Sequence, residues 1–169
     1  MITTQSGVDV LRLTPDVRWT TLASDWPQHE TVAGPLLTDA GIIVPAGQIW
    51  CGACSHPAPF NEHGYLADPH TLHGRPMPHG PLDDTDPQIV WTGRALISLS
   101  QAEVGGPKGV LITSGDLAVW NPTTDQWARA ARSPDRLDHR VTPVWAGHQL
   151  FALDATGRPL AFVPAAAKS

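Results

Sequence analysis

The feature that most restricts the fold of this chain is a near-repetition: VWTGRALISL at residues 90 to 99 returns as VWAGHQLFAL at 144 to 153. Aligned on glycine with TDAGIIVPAG (38 to 47), the copies place Gly41, Gly93 and Gly147 at spacings of 93 − 41 = 52 and 147 − 93 = 54. Each copy reads as a short strand, a tight turn and a second strand. Glycine suits such a turn because a hairpin loop commonly needs a positive φ, which a residue without Cβ adopts at no steric cost.

A second element follows the same beat. VLRLTPDVRW (10 to 19), YLADPHTLHG (65 to 74) and LAVWNPTTDQW (117 to 127) each read as strand, turn, strand, and Pro69 to Pro122 is 53 residues. Proline presets φ, while the short polar residue before it can bond to the backbone two residues on. Two independent landmarks therefore share one period. The last copy ends in FALDATGRPLAFV, with a hairpin expected across Thr156 and Gly157.

Composition agrees with an all-β chain. The 17 prolines and 15 glycines are spread throughout the 169 residues, so few helical windows escape a breaker, and runs rich in Val, Ile, Leu and Trp lie between them. With 41% hydrophobic and 16% charged residues, a packed fold is expected. A net charge of −5 with 11 Lys plus Arg and no basic cluster argues against nucleic acid and anionic lipid as partners. No apolar run has the length of a membrane span, so no membrane insertion is expected, and MITTQSGVDV lacks the regions of a secretory signal, which leaves the compartment open.

Four strands recurring every 52 to 54 residues is the size of a propeller blade. The combination of VW(T/A)G, a second strand such as QLFAL, and AVWNPTTDQW resembles the kelch-type β-propellers of bacterial proteins, akin to the central domain of galactose oxidase. The pattern (D/N)PxTxxW that joins third and fourth strands in that family fits NPTTDQW at 121 to 127, whereas DPHTLHG puts Gly74 where the Trp belongs. The family's double glycine after the second strand is replaced by SLSQ, LDAT and PAGQ, so the repeats are degenerate. The resemblance implies a single propeller region across residues 1 to 169: a strand pair at 7–22, blades at about 35–79 and 87–132, and a partial blade at about 140–164. About three blades fall short of the ~4 to 8 in a ring. A remainder of the propeller elsewhere in a longer protein, or a homo-dimer, would complete it.

Blade sheets bury both faces, which calls for apolar residues without strict alternation. Trp91, Trp120, Trp127 and Trp145 are accordingly read as inter-blade core rather than as platforms for sugar rings. Trp26 and Trp50 fall at loop positions and are the candidate ligand contacts.

The residues richest in chemistry are QIWCGACSHPAPFNEHGY, 48 to 65, with the chain's two cysteines. WCGAC imitates a thioredoxin-like redox motif, but no βαβ pattern surrounds it, and Pro57 and Pro59 would interrupt a helix started at Cys51. Cys51, Cys54, His56 and His63 are four zinc-competent side chains within 63 − 51 = 12 residues, although His56 follows Cys54 too closely for the usual paired geometry. The reading that demands least is a local Cys51–Cys54 disulfide in an exported protein, or two inert thiols in a cytosolic one. His70, His73 and His79 with Asp83, Asp84 and Asp86 are read as solvated loop in preference to a cation site.

The chain has no GxSxG, HExxH or phosphate-loop spacing, and Gly105, Gly106 and Lys108 in EVGGPKG do not supply one. A copper radical site of the galactose oxidase kind needs two tyrosines, and Tyr65 is the single one. The expectation is a non-catalytic kelch-like module that binds a protein or carbohydrate partner through its loops, with no cofactor. The alternative is a zinc-binding or enzymatic module using Cys51, Cys54, His56 and His63.

Overall fold

A computed structural model of the chain describes residues 2–4, 7–12 and 18–21, and then 35–163 except 46, 49–59, 62–63, 72, 83–86, 100–111, 114, 131, 134, 136, 139–141 and 155. Every regular element among the described residues is a strand. β1 (Ile2–Thr4), β2 (Gly7–Arg12) and β3 (Arg18–Thr21) form a three-stranded antiparallel sheet in chain order. The expected strand pair at 7–22 thus has a third member, β1, paired to β2 with Thr4 opposite Gly7.

The first four-stranded sheet contains β4 (Leu36–Thr38), β5 (Gly41–Val44), β8 (Tyr65–Ala67) and β9 (Gly74–Pro76), in that order and antiparallel throughout. Its β5–β8 connection carries a two-stranded ribbon of β6 (Gly47–Gln48) and β7 (Phe60–Asn61). The second sheet repeats the scheme with β10 (Gln88–Trp91), β11 (Leu96–Leu99), β13 (Leu117–Asn121) and β14 (Gln126–Arg129). Here the β11–β13 connection carries β12 (Ile112–Thr113), which pairs with β15 (Leu137–Asp138). The third sheet has three strands, β16 (Val144–Ala146), β17 (Gln149–Leu153) and β18 (Pro159–Phe162). None of these sheets closes on itself.

The strand registers correct the glycine alignment. Thr38 faces Gly41, so the first turn is Asp39-Ala40. Ala146 faces Gln149 around Gly147-His148, and Thr92 N–H donates to Ala95 O at 3.0 Å around Gly93-Arg94. The turns therefore recur at 93 − 39 = 54 and 147 − 93 = 54, a more regular pitch than the glycines indicate. Gly41 serves a different purpose from its apparent counterparts. A Cβ there would lie 2.6 Å from the Ala67 carbonyl oxygen, and φ is +134°, so glycine is required by the approach of β8 as well as by its backbone conformation. Gly93 has open space around it and a φ of +85°, the requirement anticipated for a hairpin loop.

Along the second sheet apolar residues occupy both faces, as expected, and β11 is buried at all four positions. Leu96 pairs with Trp91 and Trp120, and Trp120 with Trp127, so these four share a face. Ile97 pairs with Val90 and Val119 on the opposite face. Both sets are apolar because both faces meet a sheet. On the first side Leu96, Trp120, Ile89, Trp91 and Trp127 pack with Ile43, Met77, Leu36 and Leu66; Trp120 and Ile43 have no exposed surface (0% each). On the second, Val90, Ile97, Leu99, Leu117 and Val119 pack with Trp145, Leu150, Ala152 and Leu160. The four tryptophans assigned to inter-sheet core occupy that place. Burying each large aliphatic or aromatic side chain stabilises by about 1.5–3 kcal/mol, so these two junctions dominate the described core.

Leu137 of β15 is wedged into the second junction and bridges Asp154. The outer face of the third sheet has no such cover among the described residues. Val144 is 60% and Phe151 41% exposed, whereas their counterparts one repeat earlier, Val90 and Ile97, are 7% and 2% exposed.

Candidate functional site

Strand direction alternates along each sheet, so the β4–β5, β8–β9, β10–β11 and β13–β14 turns gather at one end of the first two sheets. The longer β5–β8 and β11–β13 connections leave from the other end.

Each turn at the first of these ends is fixed by its own side chains. Asp68 Oδ1 accepts the His70 and Thr71 backbone N–H groups at 2.7 and 2.8 Å, and Asn121 Oδ1 accepts that of Thr123 at 2.9 Å. Both are the polar-residue-before-proline turns expected from DPHT and NPTT. The Thr71 bond, then that of His70, lowers the Asp68 pKa, because hydrogen bonds to a carboxylate favour its charged form. At the Gly93-Arg94 turn, Thr92 Oγ1 accepts Ala95 N–H at 2.9 Å and donates to Ala95 O at 3.0 Å, so the turn presenting Arg94 is clasped from within.

Cross-sheet bonds then join the turns. Trp91 Nε1–H donates to Asp39 Oδ1 at 2.8 Å. Asp125, in the αL region at φ 54°, accepts Trp120 Nε1–H at 3.2 Å through Oδ1 and the Arg75 guanidinium at 2.8 Å through Oδ2. Trp127 Nε1–H reaches Pro78 O at 2.9 Å. Trp120 buries its ring at the junction, Trp91 and Trp127 pack there half-buried, and all three satisfy their N–H groups at its rim, the arrangement that makes Trp tolerable in a core.

Two open grooves lie between these turns. One, of about 590 Å³, is lined by Asp39, Ala40, Leu66, Trp91, Arg94 and the Asn121–Thr123 turn. Its neighbour, of about 560 Å³, shares Asp39, Ala40 and Leu66 and continues past Asp68, His70, His73 and Arg75. Asp39 has one carboxylate oxygen engaged by Trp91, and the Arg94 guanidinium, the Asn121 amide N–H groups and the Thr123 hydroxyl have no partner recorded among the described residues. What this lining can do is offer donors and acceptors to a polar ligand beside an aromatic ring.

Trp26, Trp50, Cys51, Cys54, His56 and His63 lie outside the described residues, as do Asp83, Asp84, Asp86 and the EVGGPKG loop. The backbone of the β6–β7 ribbon brackets residues 49–59, with Gly47 opposite Asn61 and Gln48 opposite Phe60. His70 and His73 line the second groove, and His79 Nδ1–H donates to Gly80 O at 2.6 Å. No group of three His, Cys, Asp or Glu side chains converges among the described residues. Asp39, Arg94, Asn121 and Thr123 were not singled out by sequence. The signal was present in the repeat: polar residues recur at the turn positions, once the turn is placed at Asp39-Ala40.

At the opposite end of the third sheet, Asp154 organises the β17–β18 turn. Its Oδ1 accepts the Thr156 hydroxyl at 2.6 Å and the Thr156 and Arg158 backbone N–H groups at 2.8 and 2.9 Å. Its Oδ2 accepts Arg158 Nε–H at 2.9 Å. The Thr156 hydroxyl first, and the Arg158 backbone N–H next, hold this carboxyl well below its ordinary range.

No protein-family model matches this chain, and no curated protein is significantly similar to it.

Proposed function

We propose that this chain is a kelch-like β-propeller module that binds a partner without transforming it, and that the partner engages the hairpin-turn end. The observation that carries the reading is a groove between the first two four-stranded sheets, adjoined by a second groove on the first of them, both walled by turns that recur at 53- to 54-residue intervals. Three sheets in chain order, each with the strand order of an antiparallel meander, support the propeller part of the proposal. The exposed outer face of the third sheet, at positions that are core one repeat earlier, supports a ring completed by further sheets, from a second copy or from additional polypeptide.

Rigid sheets carrying short, internally bonded turns suit recognition, because little side-chain freedom is lost on binding. The partner belongs to the protein or carbohydrate class, both of which present hydrogen-bonding groups to such a rim. Hydrogen-exchange footprinting against peptide and saccharide libraries tests this. Protection of 39–41, 91–95 and 121–125 supports the reading. Protection confined to the opposite end, or chemical turnover of any library member, contradicts it.

A further inference from the structure

We infer that the groove lined by Asp39, Trp91, Arg94, Asn121 and Thr123 is a subsite for a neutral saccharide. The inference rests on the hairpin-turn end being the binding end, and adds the chemical class of what binds there. Four observations lead to it.

The first is the ring. Trp91 packs into the junction cluster, lines the groove and is held by its Nε1–H bond to Asp39, so its orientation is set before any ligand arrives. A pyranose has an apolar C–H face that such a ring accommodates, and a prepositioned aromatic loses little entropy in doing so. The second is the polar set. A carboxylate with one oxygen uncommitted, a guanidinium and a primary amide are planar two-point groups, suited to adjacent hydroxyls that both donate and accept.

The third is charge. The lining contains one carboxylate, Asp39, and one guanidinium, Arg94, so a ligand with net charge gains no excess of opposite charge here. Arg75, in the neighbouring groove, is already paired with Asp125 at 2.8 Å. The fourth is shape. The grooves are open, and they share Asp39, Ala40 and Leu66, so a ligand of several linked rings can run from one to the other. A peptide would look for an apolar side-chain pocket. The lining does not supply one, being mostly turn residues with Leu66 and Trp91 as the large apolar contributors.

The test is NMR titration of the full chain, following the Trp91 indole N–H signal. The probes are methyl glycosides of glucose, galactose and mannose, and their disaccharides, raised into the millimolar range. A saturable shift at Trp91 is expected with at least one neutral sugar, tighter for a disaccharide than for its monomer. Arg94→Ala and Asn121→Asp are each expected to weaken it about tenfold, a change in Kd. Asn121→Asp keeps an oxygen to accept Thr123 N–H, so its turn should persist, while it replaces the amide donors with an acceptor and adds a negative charge. Unperturbed backbone spectra away from the groove will verify that both variants fold. No shift at Trp91 with any of the sugars, or tighter binding of a uronic acid than of its neutral parent, overturns the inference. Peptides that protect the same turns while sugars do not would overturn it and leave the hairpin-end reading standing.

Discussion

Trp91 Nε1–H and Asp39 Oδ1 meet at 2.8 Å across the junction of the first two four-stranded sheets, 91 − 39 = 52 residues apart in sequence. The bond ties a turn of one sheet to an edge strand of the next and sets the angle of the indole at the groove. Asp39→Ala removes it while leaving the N–H reachable by water. A loss of about 0.5–1.5 kcal/mol in urea unfolding is expected, with the Trp91 indole N–H resonance moving toward its solvent-exposed position. An unchanged resonance would mean that the bond does not form in solution.

Opposite faces of the third sheet should respond differently according to what covers them. Leu150 has no exposed surface at the second junction, and Leu150→Ala should cost about 2–5 kcal/mol. Val144, 60% exposed on the outer face of the same sheet, should tolerate alanine within about 0.5 kcal/mol. Equilibrium denaturation of the two variants checks both figures. Equal losses would contradict the assignment of faces.

Asp154 makes the fold acid-sensitive with a definite sign. Its folded-state pKa is depressed below the ordinary 3.8, so the stability it contributes is present above that value and is lost as pH falls through the folded-state pKa. Asp154→Asn should lower stability at neutral pH and flatten the fall in melting temperature below pH 3.8 relative to the parent. A parallel fall in both proteins would remove Asp154 from the account.

The outer face of the third sheet should govern assembly. Phe151 is 41% exposed, so Phe151→Asp should leave the circular dichroism spectrum unchanged. If a second copy covers this face, light scattering will show a dimer for the parent chain and a monomer for the variant. A parent chain that is monomeric at every accessible concentration excludes the dimer, and a variant that remains dimeric excludes this face.

Much of the fold is legible in the sequence because short-range physics writes it there. Pro and Gly punctuate the strands, Asp68 and Asn121 cap their turns as DPHT and NPTT imply, and the four repeat tryptophans are core because nothing else fills a two-sided junction so well. Gly41 misleads the alignment because its glycine answers to the Ala67 carbonyl, a contact between strands that are not neighbours in sequence. The groove is hidden for a related reason. Asp39, Leu66, Trp91, Arg94 and Asn121 come from five separate strands and turns, and each reads as an ordinary strand or loop residue until the sheets are stacked. Trp91 in particular is both core and rim, a status that a choice between platform and core excludes.

The central claim is that the three sheets stack in chain order through tryptophan-bearing faces. The most direct measurement is a methyl-to-aromatic NOE spectrum of protein labelled at Ile, Leu and Val methyls. The account predicts cross-peaks from the Trp120 and Trp127 rings to the methyls of Ile43 and Leu66, and from the Trp145 ring to those of Val90 and Ile97. Absence of both sets in folded protein, or cross-peaks joining Ile43 directly to Leu150, would contradict it.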